Sequence, residues 1–227
     1  MPARSNVLII SPDATMGVPF AAHVTRETPV EHISAMLDNE PQHQIANAPW
    51  RAFPYKPECR FAIAHTADSI LLKFFVAEDN ILARFDQPND MVHRDSCVEF
   101  FVSFNDEAEY YNLEFNCIGT CYLGYGLNDN NREVSNPQTV KKIKSCFLLQ
   151  NDKDKVKWEL TLVIPNEVFY HHKISDLSLT KCRANFFKCG DEMPVRHYLS
   201  WSNIQWPEPN FHLPEFFGEI NFNPALD

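Results

Sequence analysis

The sequence has few of the features that mark membrane-spanning, nucleic-acid-binding or nucleotide-binding proteins. No apolar run approaches the roughly 20 residues that a membrane-spanning helix needs. Asp and Glu outnumber Lys and Arg by 30 to 20, and the formal net charge of −10 argues against nucleic acids or anionic membranes as partners. The G-x-S-x-G, P-loop and Rossmann motifs are also missing, so the common hydrolase and nucleotide-binding signatures are not matched.

The N-terminus lacks a recognisable leader. The apolar run VLII at residues 7–10 is too short for the core of a signal peptide, and Ser-Pro-Asp follows it directly. The seven cysteines show no disulfide-framework spacing, which favours free thiols in a reducing compartment. We therefore expect a cytoplasmic protein, or a secreted or cell-surface protein if a leader has been removed.

From Cys59 onwards, short apolar, β-branched or aromatic runs alternate with turn residues. This spacing is typical of antiparallel strands rather than of βαβ units. We predict an all-β protein, a jelly-roll-like antiparallel β-sandwich of two packed sheets with long loops. In KVKWELTLVI, alternation places Trp158 on the core-facing side, and in RHYLSW it does the same for Trp201.

The N-terminal part differs from this pattern. TPVEHISAML, residues 28–37, has apolar residues at helical spacing after a candidate Thr28 cap, which predicts a short helix. A Pro-rich polar stretch follows and predicts a surface loop. We predict one domain over residues 1–227, in which 1–53 form the helix and a wrapping loop and 54–222 form the sandwich.

The segments SCVEFFVSF and EYYNLEFNC predict a hairpin with one apolar and one polar face. Two registers keep the apolar faces together: one places Glu99 opposite Asn116, and the other places Glu99 opposite Glu114. Acids and amides beside an aromatic ring suit a sugar, because they bind hydroxyl groups while the ring stacks on the C–H face. The alternative is an ordinary solvent-facing sheet surface.

The segment SWSNIQWPEPNFHLPEFFG, residues 200–218, combines prolines with aromatic residues. Proline restricts the backbone and cannot donate to a sheet, so this segment is predicted to be a stiff surface loop. Packing explains Trp206 and Phe211 least, since Trp206 belongs to no alternating run. These rings either present a surface to a ligand or fold back as a lid on the sandwich.

Three segments, SCVEFFVSF, FFKCGD and HYLSWSNIQWPEPNFHLPEFFGEI, together resemble the family 9 carbohydrate-binding module and its stand-alone relatives. The resemblance extends from about Pro54 to Asn221. It implies a β-sandwich that binds sugars, preferentially chain ends, between two aromatic side chains and neighbouring polar groups. The ligand-binding residues that it implies are His93, Glu99, Asn116, Lys188, Trp206 and Phe211.

The chain departs from the family pattern at the stacking positions. His93 replaces a family Trp, and Phe211 occupies the other ring position, with Trp206 as a substitute. Because a good aromatic stack contributes on the order of 1 kcal/mol, the smaller rings leave open whether the pocket is intact. The resemblance also allows a structural calcium, but no loop offers a convincing set of oxygen ligands, so neither cofactor nor metal site is predicted.

The predicted function is non-catalytic binding of an oligosaccharide or polysaccharide, of the xylan or cellulose type or at chain ends. The sequence does not determine the oligomeric state, and a monomer is favoured. One alternative is hydrolysis of O-glycosyl compounds, for which Glu99 could act with Glu114 or Asp95 as the carboxylate pair. The other alternative is a protein-interaction module that docks through its aromatic loop. The motif CIGTC has no second cysteine pair and does not predict a zinc site.

Overall fold

The computed structural model describes residues 14–152 and 155–225. The VLII run at residues 7–10 lies outside the described residues. In chain order the strands are β1 (Thr15–Val18), β2 (His43–Gln44), β3 (Glu58–His65), β4 (Ser69–Glu78), β5 (Cys97–Phe104), β6 (Tyr110–Asn116), β7 (Cys121–Gly126), β8 (Arg132–Val134), β9 (Lys144–Asp152), β10 (Lys155–Pro165), β11 (Cys182–Cys189), β12 (Tyr198–Ser200) and β13 (Gly218–Phe222). The α-helices are α1 (Val30–Leu37) and α2 (Pro137–Val140), and 3-10 turns occur at Val92–Arg94, Asn166–Val168, Leu177–Leu179 and Pro214–Phe216. Within the described ranges, each helix is too short or too polar to cross a membrane.

The strands form two sheets packed face to face. The larger sheet has the order β1-β13-β11-β5-β6-β7-β8, with β12 paired to β11, and the smaller sheet has the order β2-β3-β4-β10-β9. Strands β1 and β13 run parallel, and the other pairs of named strands are antiparallel. The predicted antiparallel β-sandwich is therefore confirmed.

Alternating apolar residues from both sheets meet in one inter-sheet core. Val98, Phe100 and Val102 of β5 face this core with no exposure, and Trp158 of β10 is 1% exposed. Because successive side chains of a strand point to opposite faces, the orientations predicted for these strands are confirmed. Trp201, also predicted as a core residue, is partly buried and packs against the edge of the same core.

The hairpin of β5 and β6 has the second of the two predicted registers. Glu99 lies directly opposite Glu114 on the outer face of the larger sheet. The turn between the strands holds Asn105 at φ 56° and Asp106 at φ 60°, a left-handed conformation that Asn and Asp tolerate well. This turn accompanies a register that sets two carboxylates side by side.

The N-terminal segment contributes strands as well as the predicted helix. Helix α1 begins at Val30, and Thr28 does not cap it: the Oγ1 of Thr28 accepts a hydrogen bond from the Thr25 N–H instead. Ile33 and Leu37 of α1 are buried against the outer face of the smaller sheet. Strands β1 and β2, in the stretch predicted to be a wrapping loop, each form one edge of a sheet.

The outer faces of the two sheets are covered differently. Helix α1 packs on the smaller sheet, where the Lys73 side chain is 1% exposed and pairs with Asp38 and, at 2.8 Å, with Glu159. Loops and a second aromatic cluster, which includes Phe101 and Phe187, cover the larger sheet. This second cover is incomplete, and a cavity remains under the loops.

Candidate functional site

A cavity of about 530 Å³ opens on the outer face of the larger sheet. Strands β5 and β6 and the end of β11 form its floor, β8 contributes to one wall, and the loops before β5 and after β12 form its rim. The rim is fixed to the rest of the molecule, because Nε1 of the buried Trp50 donates a hydrogen bond to the Trp206 carbonyl oxygen at 2.9 Å. The part of the rim that carries Trp206 is therefore anchored to Trp50.

The structure brings four of the six predicted ligand-binding residues together around this cavity. They are His93, Glu99, Trp206 and Phe211, and they come from the turn before β5, from β5 itself and from the C-terminal loop. The remaining two, Asn116 and Lys188, do not line the cavity. Ligand binding by the four that line it stays a prediction.

Asn116 is fully buried and holds loops in place. Its Nδ2 donates hydrogen bonds to the Phe85 carbonyl oxygen at 2.8 Å and to Asp95 Oδ2 at 3.1 Å. Its Oδ1 accepts from the Thr120 N–H at 3.0 Å. Asn116 shares the outer face of β6 with Glu114, as predicted, but these bonds tie its amide to the protein rather than to the cavity.

Lys188 lies between the two sheets, fully buried. Its Nζ is 3.0 Å from Glu78 Oε2 of the opposite sheet and 2.8 Å from Nε2 of His197. Burial, followed by the Lys188 charge, lowers the pKa of His197 to about 3, so the neutral imidazole accepts from the ammonium. In β11 the neighbours Phe187 and Cys189 face the cavity side, and alternation turns Lys188 into the core. The structure therefore assigns Lys188 to the core and not to the ligand.

The two aromatic residues singled out in the C-terminal loop differ in exposure. Trp206 is 47% exposed at the rim of the cavity. Phe211 is 9% exposed and stacks on Phe187, with ring centroids 4.2 Å apart and planes 13° from parallel. Trp206 thus presents a free face, whereas Phe211 serves mainly as the packed edge of the cavity wall.

Carboxylates dominate the floor of the cavity. Glu99 is 3% exposed and Glu114 is 7% exposed. The alternative prediction, in which both are ordinary solvent-facing residues of an exposed sheet surface, is therefore wrong. Burial, followed by the charge of Glu114, raises the pKa of Glu99 well above its usual value. The thiol of Cys189 donates to Glu99 Oε1 at 3.0 Å, and Asn112 Nδ2 donates to Glu114 Oε1 at 2.7 Å.

His93 joins the turn before β5 to this floor. Its Nδ1 lies 3.4 Å from Glu114 Oε2, and the hydrogen bond to Glu114 raises the pKa of His93 against the opposing effect of burial. The ring is partly exposed to the cavity, with a side-chain exposure of 37%. Because Nδ1 holds the proton shared with Glu114, Nε2 of His93 donates to a ligand when the ring is protonated and accepts when the ring is neutral.

Arg132 of β8 supplies positive charge to the cavity. Its Nη1 donates to Asn112 Oδ1 at 2.8 Å, and the guanidinium lies 4.4 Å from the centroid of the Tyr110 ring. Its Nε is buried without a hydrogen-bond partner among the residues that the structure describes. The site therefore pairs acceptors on β5 and β6 with a fixed donor on β8.

The polar residues of the cavity that sequence reasoning missed include Arg132, Asp191 and His212. Arg132 lies on a three-residue strand with no readable alternation, and His212 lies within the loop whose prolines hide any pattern. Asp191 belongs to the CGD motif and was detectable there. Burial raises the pKa of Asp191 and lowers that of His212 to about 4.

Comparison with known protein families identifies the family to which this β-sandwich belongs. The model of carbohydrate-binding family 9 matches residues 31–222, which is most of the chain. The chain belongs to carbohydrate-binding family 9. The match includes the cavity floor, the β8 wall and the C-terminal loop, so the site described above lies within the family 9 region.

Solved structures agree with membership of family 9. A candidate carbohydrate-binding protein from Bacteroides uniformis ATCC 8492 is 33% identical, with a TM-score of 0.86 over 92% of this chain and 99% of that one. A family 9 module from Caldicellulosiruptor kristjanssonii in complex with glucose has 12% identity and a TM-score of 0.59, over 94% of this chain and 98% of that one. The structure with cellotriose of a family 9 module from the same organism has 11% identity and a TM-score of 0.58, over 94% and 96%. At this identity both modules show the fold alone, and no curated protein matches the chain.

The described residues contain one cluster of metal-ligating side chains that can be compared with the calcium allowed by the family resemblance. Among residues 14–152 and 155–225, the one group of three His, Cys, Asp or Glu side chains with ligand atoms within 4.8 Å of one another is Cys97, Glu99 and Cys189. Calcium requires six to eight oxygen ligands, whereas two of these three are sulfur atoms. The donor set of Cys97, Glu99 and Cys189 therefore does not fit calcium.

Proposed function

We propose that this protein binds carbohydrate without altering it, and that the ligand is a neutral oligosaccharide or chain end of the xylan or cellulose type. The observation that carries the proposal is the half-exposed ring of Trp206 at the rim of a cavity with a polar floor. Sugars present hydroxyl groups on their edges and C–H groups on their faces, so a ring beside fixed polar groups matches both.

The polar groups are held before a ligand arrives. Glu114 is fixed by Asn112, and Asn112 is fixed in turn by Arg132 at 2.8 Å. Arg132 lines the cavity, so its guanidinium group can donate to a hydroxyl oxygen there. Preorganised groups lose little conformational entropy on binding, so a small cavity of this kind supports measurable affinity.

The relatives support the same assignment. The family 9 modules of Caldicellulosiruptor kristjanssonii were solved with glucose and with cellotriose, and they share the sandwich fold over almost the full length of this chain. The departures at His93 and Phe211 make one exposed ring, Trp206, the main stacking surface. We therefore propose a site with one stacking platform rather than two.

Isothermal titration with glucose, cellotriose and xylotriose tests this proposal. We expect saturable heat with at least one of them and a loss of about tenfold in affinity in Trp206→Ala, since one stack contributes roughly 1.4 kcal/mol. Leu179→Ala, at a position that is 85% exposed and outside the cavity lining, is the matched control and should leave the affinity unchanged. Absence of heat with all three sugars from the folded protein would contradict the proposal.

Glycoside hydrolysis is the second candidate, and the opposed pair of Glu99 and Glu114 favours it. A buried acid with a raised pKa beside a second carboxylate is the arrangement that a glycosidase uses. Release of reducing sugar from cellotriose that disappears in Glu99→Gln would establish this activity. Binding without release would assign the pair to recognition.

A further inference from the structure

Two thiols and a carboxyl group converge beneath the cavity. Cys97 and Glu99 occupy alternate positions of β5 and therefore share one face, and Cys189 of β11 lies directly opposite Cys97. The ligand atoms of all three lie within 4.8 Å of one another. Each of the three residues is at most 3% exposed.

The neighbouring cations do not neutralise this group. Lys188, adjacent to Cys189 in sequence, faces the opposite side of β11 and pairs with Glu78. His93 contacts Glu114, and Arg132 contacts Asn112. Within the described residues, the hydrogen bond of the Glu99 side chain comes from the Cys189 thiol, which is a weak donor.

A buried carboxyl group with so weak a partner is unfavourable in its charged form. The same is true of two adjacent buried thiols if they ionise. One cation placed among the three donor atoms would stabilise all three anionic forms at once. The donor set, two sulfur atoms and one carboxylate oxygen, selects a borderline-soft ion and disfavours calcium or magnesium.

We propose that Cys97, Glu99 and Cys189 form a binding site for a single zinc ion in the floor of the cavity. Three protein ligands leave one position of a tetrahedral zinc open. That position faces the cavity, because Glu99 and Cys189 line it while Cys97 lies behind them. Binding displaces the thiol protons and the Glu99 proton to solvent, and two thiolates, one carboxylate and Zn²⁺ leave a net charge of −1.

Titration of zinc into the reduced, metal-free full-length protein in competition with a chromogenic chelator tests the site without any sugar. We expect one zinc per chain and a rise in Tm on binding. Cys97→Ser, Cys189→Ser and Glu99→Gln each remove a ligand, so each should weaken binding by more than the roughly 10- to 100-fold that loss of an outer-shell partner produces. Cys182→Ser, which alters a buried thiol of the inter-sheet core, is the matched control and should bind zinc as the wild type does.

Cobalt substitution gives a readout that does not depend on stability. The wild type should show a thiolate-to-cobalt charge-transfer band, which should be lost in the folded Cys97→Ser/Cys189→Ser double variant. The proposal is overturned if the wild type competes no better than the double variant, or if Glu99→Gln binds zinc with unchanged affinity. Formation of a Cys97–Cys189 disulfide with diamide, without zinc uptake by the reduced protein, would also overturn it in favour of a redox pair.

Discussion

The outer faces of the two sheets each carry a buried ionisable side chain near their centre, Lys73 on the smaller sheet and Glu99 on the larger one. Lys73 is paired with two acids, and its hydrogen bonds to Asp38 and Glu159 outweigh the effect of burial and raise its pKa. Glu99 also has a raised pKa, but there burial and the nearby Glu114 disfavour its charge. The same direction of shift therefore marks a stabilised charge on one face and a destabilised charge on the other.

The covers of the two faces explain this difference. On the smaller sheet, α1 lies against the strands and supplies Asp38 from its C-terminal end as a partner for Lys73. On the larger sheet, the loops leave an open cavity in which acids outnumber well-placed cations. Buried groups with unfavourable charge concentrate at functional sites. We therefore assign function to the larger sheet, whose loops leave a cavity, and structural support to the smaller sheet, which α1 covers.

The largest expected loss of stability comes from breaking the buried ion pair between the sheets, which Lys188 and Glu78 form. Lys188→Met leaves the Glu78 carboxylate buried without its cation, and we expect a loss of about 3–5 kcal/mol in the free energy of unfolding. Urea denaturation measures this loss. Lys157→Met, at an exposed surface ion pair, is the control and should change stability by about 0.5 kcal/mol or less. A stable Lys188→Met variant that loses sugar affinity would return Lys188 to the ligand site.

The next largest expected change in stability concerns the two rings of the C-terminal loop, Phe211 and Trp206. Phe211→Ala removes a packed ring from the second aromatic cluster, and we expect a loss of about 3 kcal/mol in the free energy of unfolding. Trp206→Ala removes an exposed ring and should change stability by about 0.5 kcal/mol or less. Chemical denaturation of both variants checks the contrast. Equal losses would show that the two rings have the same structural role.

A matched pair of substitutions tests the comparison of the sheets directly. Glu159→Gln weakens the support of Lys73 and should lower stability by about 1 kcal/mol at neutral pH. Glu99→Gln in the metal-free protein removes a charge that folding disfavours, so it should leave stability unchanged or raise it. Because the folded pKa of Glu99 lies above the usual 4.5, the wild type loses stability as pH rises from 4.5 through that pKa. Glu99→Gln should flatten this decline, and a destabilised Glu99→Gln variant would contradict the contrast.

The smallest expected effect concerns His93. Its pKa is raised above 6.5 by Glu114, so its contribution to stability is fully present below pH 6.5 and is lost as pH rises through the folded pKa. We expect a shallow decline of Tm across that range, which His93→Gln should remove. Asp191 and Arg94 also act on His93, in opposite directions. A decline that persists unchanged in His93→Gln would assign it to other groups.

The sequence predicted the fold well because alternation along strands is a local property. Trp158, the apolar face of β5 and the polar face of β6 follow from counting residues. The register of the hairpin did not follow, since both registers match polarity and the geometry of the turn at Asn105 and Asp106 is not encoded in alternation. The sequence was thus sufficient to predict which residues share each face of a strand. It predicted the pairing of Glu99 with Glu114 only as one of two possible registers.

The candidate site was predictable only in part. Resemblance placed Lys188 beside the ligand, although the alternation of β11 groups it with Ala184 and Phe186 in the core. Arg132 escaped notice because a three-residue strand carries no pattern. The cavity itself is formed by loops, whose conformation depends on tertiary contacts such as that of Trp50 with the Trp206 carbonyl group.

A crystal structure of the protein soaked with cellotriose tests the central claim most directly. We predict a sugar ring stacked on Trp206, with its hydroxyl groups within hydrogen-bond distance of Glu114 and Arg132. A cavity without sugar at saturating cellotriose, or sugar bound elsewhere on the molecule, would contradict the assignment of this cavity as the carbohydrate site.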